Sequence, residues 1–290
     1  MQQKPLFSVL IANHNDGKYL QEAIESIFAQ TYDNWEIIIV DDKSTDNSAE
    51  VYEKYSTDDR VHIYQNDENM GCGYTKRRCV ELAQGEVCGF VDADDSITSN
   101  AIEKMVEAHI KNPLCSLIYS QFYYTDNNHN VISISQHQCT IPEGNSFLTC
   151  NILGAVSHFA TFKKKYYNQT IGIDPSFKIA EDIDLYFKLE EVGVLLFIPT
   201  PLYYYRTDTG NNTSLGEKNH IKSISWDFLA RINAYKRRNL PIEDILIPQL
   251  THIYEEAYSI GQDNVRATTS YKIGRAIITP FKSITKVLSR

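Results

Sequence analysis

The sequence predicts an α/β protein built on a mixed, mainly parallel sheet flanked by helices, and three observations predict it. Short apolar runs alternate four times with stretches of helical spacing, two of those runs stop abruptly in aspartates, and a hairpin pattern then interrupts the winding. The first run, residues 7–12, is followed by Leu20, Ala23, Ile24 and Ile27 at helical spacing within residues 19–30. The second, residues 36–40, ends in Asp41-Asp42. It leads through Ser44-Thr45-Asp46 into a helix carrying Ala49, Val51 and Tyr55, with Asp46 or a neighbouring hydroxyl as its N-cap. The third is residues 61–64, then a loop with Gly71 and Gly73, then a helix through Val80, Leu82 and Ala83. The fourth, residues 87–91, runs into Asp92-Ala93-Asp94-Asp95 and precedes a helix over 100–111. Such a succession puts helices on both faces of the sheet and ligands at the carboxyl ends of its strands.

Residues 117–124 and 131–135 read as two strands joined by the turn Asp126-Asn127-Asn128-His129-Asn130. A mixed region to Tyr205 holds a helix over 181–191 and a strand over 194–199. Beyond Lys218 the pattern is helical, with Ile221, Ile224, Trp226, Leu229 and Ile232 in one helix and residues 246–260 in another. The expected organisation is one domain over 1–215, in two halves dividing near residue 112, and a helical extension over 216–290.

The 290 residues are 42% hydrophobic and 22% charged, ordinary for a globular chain able to bury a full core. A net charge of -9 argues against a nucleic-acid partner, whose binding needs a basic face. Charge is uneven: residues 265–290 carry Arg266, Lys272, Arg275, Lys282, Lys286 and Arg290 and no acid. Interleaved with Ile273, Ala276, Ile277, Phe281, Ile284, Val287 and Leu288, they form a rough amphipathic pattern, broken by Pro280. It suits either peripheral contact with an anionic membrane or packing on the acidic body. Six cysteines without C-x-x-C spacing, no signal peptide and no long apolar run predict a cytoplasmic protein, free to work at the inner face of a membrane. The sequons at Asn168 and Asn212 are then chance matches.

Two strands ending in aspartates place both acidic clusters on one edge of a parallel sheet, where a shared ligand reaches both. Aspartates at one strand end often cap the next helix; so many in one cleft repel each other unless a cation or a donor-rich ligand lies between them. A divalent ion held by one or two carboxylates and a diphosphate answers that requirement.

Several motifs together give the chain its resemblance to glycosyltransferase family 2. They are Ser8-Val9-Leu10-Ile11-Ala12-Asn13-His14-Asn15, Ile38-Ile39-Val40-Asp41-Asp42-Lys43-Ser44-Thr45-Asp46, Asn69-Met70-Gly71, Ala83-Gln84-Gly85-Glu86, Asp92-Ala93-Asp94-Asp95 and Glu181-Asp182-Ile183-Asp184-Leu185. The resemblance implies the GT-A, Rossmann-like nucleotide-sugar-binding fold, with a nucleotide-binding half over 1–112 and an acceptor-binding half over 113–215. It implies an inverting transfer from a nucleotide sugar, uridine-linked by preference, in surface polysaccharide or glycan synthesis, with Mn²⁺ or Mg²⁺ and a glycan or lipid-linked acceptor. Position by position, Ala12 and Asn15 approach the base, Asp42 accepts from its imide N–H, Lys76 supplies charge for the diphosphate, and Asp92 contacts the ribose. Asp94 or Asp95 meets the metal, Asp182 is the general base, and Arg206 lies over the diphosphate within a lid containing Gly210, Asn211 and Asn212. Three departures stand out: Ala12-Asn13-His14 for the usual Pro-Thr-Tyr, Lys76-Arg77 for Arg-Asn, and Asp208 for a histidine.

Other readings fit less well. A dinucleotide-binding oxidoreductase would need G-x-G-x-x-G where Asn13-His14-Asn15-Asp16-Gly17 stands. A phosphatase of the haloacid dehalogenase type would open the domain with its Asp-x-Asp strand. A catalytically silent nucleotide-sugar binder or assembly partner is the remaining alternative, and the helical C-terminal third offers a surface for a homodimer.

Overall fold

The apolar runs become a nine-stranded mixed sheet in the computed structural model, which describes residues 4–150, 154–207, 217–243, 247–248 and 250–251. In chain order the elements are β1 (Phe7–Asn13), α1 (Gly17–Phe28), β2 (Trp35–Asp41), α2 (Ser48–Tyr55), β3 (Val61–Gln65), α3 (Cys72–Leu82), β4 (Val87–Phe90), β5 (Ser96–Ile97) and α4 (Ala101–Lys111). They continue with β6 (Cys115–Thr125), β7 (Val131–Ile134), β8 (Ala160–Lys163), α5 (Lys164–Tyr167), α6 (Glu181–Val192), β9 (Val194–Arg206) and α7 (Glu217–Arg237). The chain divides into two units, Met1–Asn212 and Thr213–Arg290. In the second, α7 carries an internal Arg231–Asp227 ion pair at 2.7 Å. The expected helix over 246–260 lies almost wholly, and the lid and basic tail wholly, outside the described residues. Among the described residues no helix is long and apolar enough to cross a membrane.

Strand order is β3-β2-β1-β4-β8-β6-β9-β5, with β7 on the free side of β6. β1, β2, β3 and β4 are mutually parallel, and β6 pairs parallel with β9. β8 runs antiparallel between β4 and β6, so the sheet is mixed at its centre. Because β2 and β3 build outward on one side of β1 and β4 on the other, the order reverses between β1 and β4. Ligands of open α/β sheets bind at such a reversal, and the ends of β1 and β4 are Asn13-His14-Asn15 and Asp92-Ala93-Asp94-Asp95.

β1 and β2 are buried nearly throughout, as parallel strands covered on both faces must be. Ile37, Ile38, Ile39 and Val40 each contribute about 1.5–3 kcal/mol by burial. α1 buries the stripe the sequence predicts, Leu20, Ala23, Ile24 and Ile27, together with Tyr19.

The sequence reading missed three short elements: β5, β8 and α5. Two to four residues are too few to show a period. β9 runs seven residues further than its predicted end at Pro199. Its pairing with β6 jumps from Ile198 to Pro201, so Pro199 and Thr200 form a bulge and the strand resumes beyond it. Proline cannot donate to a ladder, and a bulge is where a sheet tolerates one.

Candidate active site

The two acid-tipped strand ends are built differently. At β2, Asp41 is buried, and its carboxylate accepts from Tyr52 Oη at 2.8 Å, Asn13 Nδ2 at 3.3 Å, Ser44 N at 3.0 Å and Gln65 Nε2 at 3.0 Å. Burial alone would raise this carboxyl, yet the bonds from Ser44, Gln65 and Tyr52 together hold it below its usual value. Asp42, also buried, accepts from Asn66 Nδ2 at 2.7 Å and Met70 N at 2.8 Å on one oxygen, and from Gly71 N at 2.8 Å on the other. The Asn69-Met70-Gly71 loop therefore wraps around this carboxylate, and Gly71 takes the left-handed φ of 88° that the turn into α3 requires. Asp46, expected as an N-cap, serves two helices: Oδ2 accepts from Gly17 N at 2.8 Å and Oδ1 from Ser48 N at 3.0 Å.

His14 and Asn15 complete this side. The His14 ring contacts the Asp42 carbonyl through Nδ1 at 2.7 Å, so Nδ1 carries the proton and Nε2 accepts from Asn69 Nδ2 at 3.0 Å. Asn15, at φ 62°, accepts from Thr45 N at 2.7 Å, while its own N–H donates to Ser44 Oγ at 2.9 Å. Ala12 is half-buried beside them.

After β4 the chain supplies fewer donors. Asp95 is buried; Tyr203 Oη donates to its Oδ2 at 2.8 Å and Arg206 N to its Oδ1 at 2.8 Å. Burial, then the charges of Asp94 and Asp92, push its carboxyl well up. Asp95 thus fastens the loop to β9 and presents no open oxygen edge, which leaves Asp94, half-exposed, as the carboxylate suited to a hard cation. Among the described residues no group of three or more His, Cys, Asp or Glu is arranged to hold a metal ion. The residues do fit an ion bound by one or two carboxylates with phosphate oxygens completing its shell.

Lys76 and Arg206 occupy places other than the open cleft expected for a diphosphate contact. The Lys76 ammonium sits 3.3 Å from Asp92 Oδ1 and 2.9 Å from Glu181 Oε1, with about a tenth of its side chain exposed. Burial opposes its charge, but Asp92 and Glu181 together raise the ammonium well above its usual value. In turn, burial would raise Asp92, and the Lys76 ammonium beside it reverses the direction. The lysine bridges the end of β4 to the start of α6. Arg206 is 1% exposed: Nε donates to the Asp94 carbonyl at 2.8 Å, Nη1 to the Asn127 carbonyl at 2.6 Å, and Nη2 to Glu22 at 2.8 Å. It supports the Asp94 loop from beneath. Repulsion among the carboxylates is thus relieved largely by the chain's own donors, where the sequence alone suggested a cation or ligand.

Asp182 opens α6 next to Glu181. The residue before them, Ala180, adopts a left-handed φ of 60°, a strained conformation for a side chain with a Cβ. Ile183 N donates to Asp182 Oδ1 at 2.8 Å, leaving Oδ2 as the other oxygen of a half-buried carboxylate. Burial first, then the charge of Glu181, raise Asp182 to about 6. Gly73 lets α3 approach this helix start: its N–H meets the Phe177 carbonyl at 3.0 Å, and a Cβ there would lie 2.5 Å from the same oxygen.

Sequence reasoning missed Tyr203, whose hydroxyl also meets Asp92 N at 3.1 Å, and His158, stacked on it at 4.8 Å. It also missed Glu181 as the partner of Lys76. Only the aromatic run Tyr203-Tyr204-Tyr205 ahead of Arg206 hinted at the first.

Residues 8–171 match the family described as Glycosyl transferase family 2. Chondroitin synthase of Escherichia coli is 29% identical over 258 residues, covering 84% of this chain and 36% of that protein. Hyaluronan synthase of Pasteurella multocida is 30% identical over 229 residues, covering 76% and 23%. The chain therefore spans little more than a third of either. Among solved structures, S. aureus TarS 1–349 in complex with UDP-GlcNAc superposes with a TM-score of 0.67 at 18% identity, over 92% of this chain and 79% of that one. The mannosyltransferase PcManGT from Pyrobaculum calidifontis, in complex with GDP-Man and Mn²⁺, gives 0.58 at 13% identity, over 99% and 80%. At these identities the two structures establish a shared GT-A fold.

Proposed function

The chain belongs to glycosyltransferase family 2, and on that premise we propose that it transfers a sugar from a nucleotide-diphosphate sugar to an acceptor hydroxyl with inversion. The observation that carries this reading is the Lys76 bridge, which ties Asp92, at the reversal point of the sheet, to Glu181, the neighbour of Asp182. A raised carboxylate one residue from that bridge is what proton abstraction from a sugar hydroxyl near neutral pH requires.

In this reading Ala12, Asn15 and Asp42, with His14 and Asn69, form the wall for the base, and Asp92 meets the ribose. Asp94 holds a Mn²⁺ or Mg²⁺ ion, which when bound neutralises charge on the departing diphosphate. Lys76, Asp95 and Arg206 act as positioning residues that keep the Asp92 to Asp95 loop and the start of α6 in register. Asp182 takes the acceptor proton as the new bond forms.

Relatives named for chondroitin, hyaluronan and teichuronic acid synthesis favour a polysaccharide or glycan acceptor, and TarS structures with UDP and UDP-GlcNAc favour a uridine-linked donor. Contact of the basic tail with a membrane's inner face, and a homodimer, belong to the same proposal. Sedimentation with anionic vesicles, with and without residues 265–290, and analytical ultracentrifugation test them.

The decisive experiment measures nucleoside diphosphate release from a panel of nucleotide sugars with Mn²⁺ and a glycan acceptor. Release that needs both metal and acceptor is expected. Binding without release from any activated sugar would favour a silent binder.

A further inference from the structure

His158 lies in the cleft but has no part in the assignments above. It sits on the segment entering β8, half-buried, with its ring parallel to Tyr203 at 4.8 Å and 12° and to Tyr205 at 5.6 Å and 19°, and edge-on to Phe122 at 6.0 Å. Tyr203 is itself fixed, its hydroxyl touching Asp92 N and Asp95 Oδ2. Three aromatic side chains thus set the plane of the imidazole. Even so, neither ring nitrogen has a hydrogen-bond partner among the described residues, and neither is sealed from solvent. A ring oriented by packing and left with both nitrogens open is matched to a hydrogen-bonding ligand. Burial lowers its pKa, with Asp92 only partly opposing, so the ring is neutral at pH 7, with one nitrogen donating and one accepting.

Its place in the sheet selects the ligand. The base wall comes from the ends of β1 and β2 and the loop after β3; His158 enters instead from β8, on the opposite side of β4. There it is within electrostatic reach of Asp92, Lys76 and Glu181, between the strand end assigned to the ribose and diphosphate and the helix start that carries Asp182. A reacting sugar has to occupy that interval, linked to the diphosphate on one side and approached by the acceptor on the other.

Resting on the glycosyltransferase reading, we propose that His158 hydrogen-bonds hydroxyl groups of the transferred sugar through its two ring nitrogens and so takes part in donor-sugar selection. His158→Phe tests this, because it keeps the ring stack and removes both nitrogens. Wild type and variant are titrated calorimetrically with UDP and with UDP-GlcNAc, UDP-glucose, UDP-glucuronate and GDP-mannose. UDP is expected to bind both proteins alike, whereas the sugar nucleotide that wild type prefers binds the variant about tenfold more weakly, the equivalent of one lost hydrogen bond.

Equal binding of the sugar nucleotide by both proteins overturns the proposal. So does an equal weakening of UDP and the sugar nucleotide, which would make His158 a support of the cleft. His158→Gln, with an amide donor and acceptor, is expected to lie between the two. If the phenylalanine variant shows no cooperative thermal transition, the glutamine variant replaces it under the same criteria. Failure of wild type to bind any of these nucleotides would remove the glycosyltransferase reading itself, and this inference with it.

Discussion

The ends of β2 and β4 carry nearly the same sequence signature, an apolar strand that stops in aspartates, but they serve different ends. After β2, Asp41 accepts four hydrogen bonds and Asp42 three, from side chains and backbone groups of the strands, loops and helix around them. After β4, Asp95 is bound to β9 and Asp92 to Lys76, while Asp94 stays half-exposed with its backbone carbonyl held by Arg206. The number of donors the fold aims at a carboxylate decides whether it organises a loop or remains for a ligand.

Variants can break this contrast or sharpen it. The largest effect is expected at Asp182→Asn: a general base contributes 10²–10⁴-fold, so transfer should fall about 10³-fold with the melting temperature little changed. A rate near wild type, read from diphosphate release, would show that the raised carboxylate at the start of α6 is no base. Lys76→Met leaves Asp92 and Glu181 buried without their cation and should cost about 3 kcal/mol in urea unfolding, as broken buried pairs do. A smaller effect comes from pH. Asp182 works as a base only when deprotonated, so kcat should rise through pH 6 and level off above it, falling about tenfold per pH unit below. A flat profile from pH 5 to 8 would contradict the assignment. Smallest is Glu22→Gln: the carboxylate facing Arg206 and His129 is partly exposed, so its loss should cost about 1 kcal/mol, some 2–4 °C in melting temperature.

Much of this was legible in the sequence, for identifiable reasons. Period and length revealed β1 to β4 and their helices, because each strand of a buried parallel sheet is an unbroken apolar run. The motifs located Asp42, Asp94 and Asp182. The sequence could not show which carboxylates already had partners, since Tyr52 reaches Asp41 from α2 and Tyr203 reaches Asp95 from more than a hundred residues away. Nor could it show that Lys76 bridges two halves of the domain, because Asp92 and Glu181 become neighbours only when α3 packs against both. Arg206 was expected over the ligand because a late arginine in a loop looks free; folding buries it beneath Asp94, where Glu22 completes its set of acceptors.

A paired measurement on Asp41→Asn and Asp94→Asn, thermal denaturation beside metal-dependent transfer, tests the division between the two strand ends most directly. Asp41→Asn should lose about 2 kcal/mol of stability, several degrees in melting temperature, while the folded fraction still binds nucleotide. Asp94→Asn should melt with wild type and lose transfer about a hundredfold or more. If Asp94→Asn unfolds as readily as Asp41→Asn, or transfers sugar at the wild-type rate, the contrast between the two strand ends is wrong.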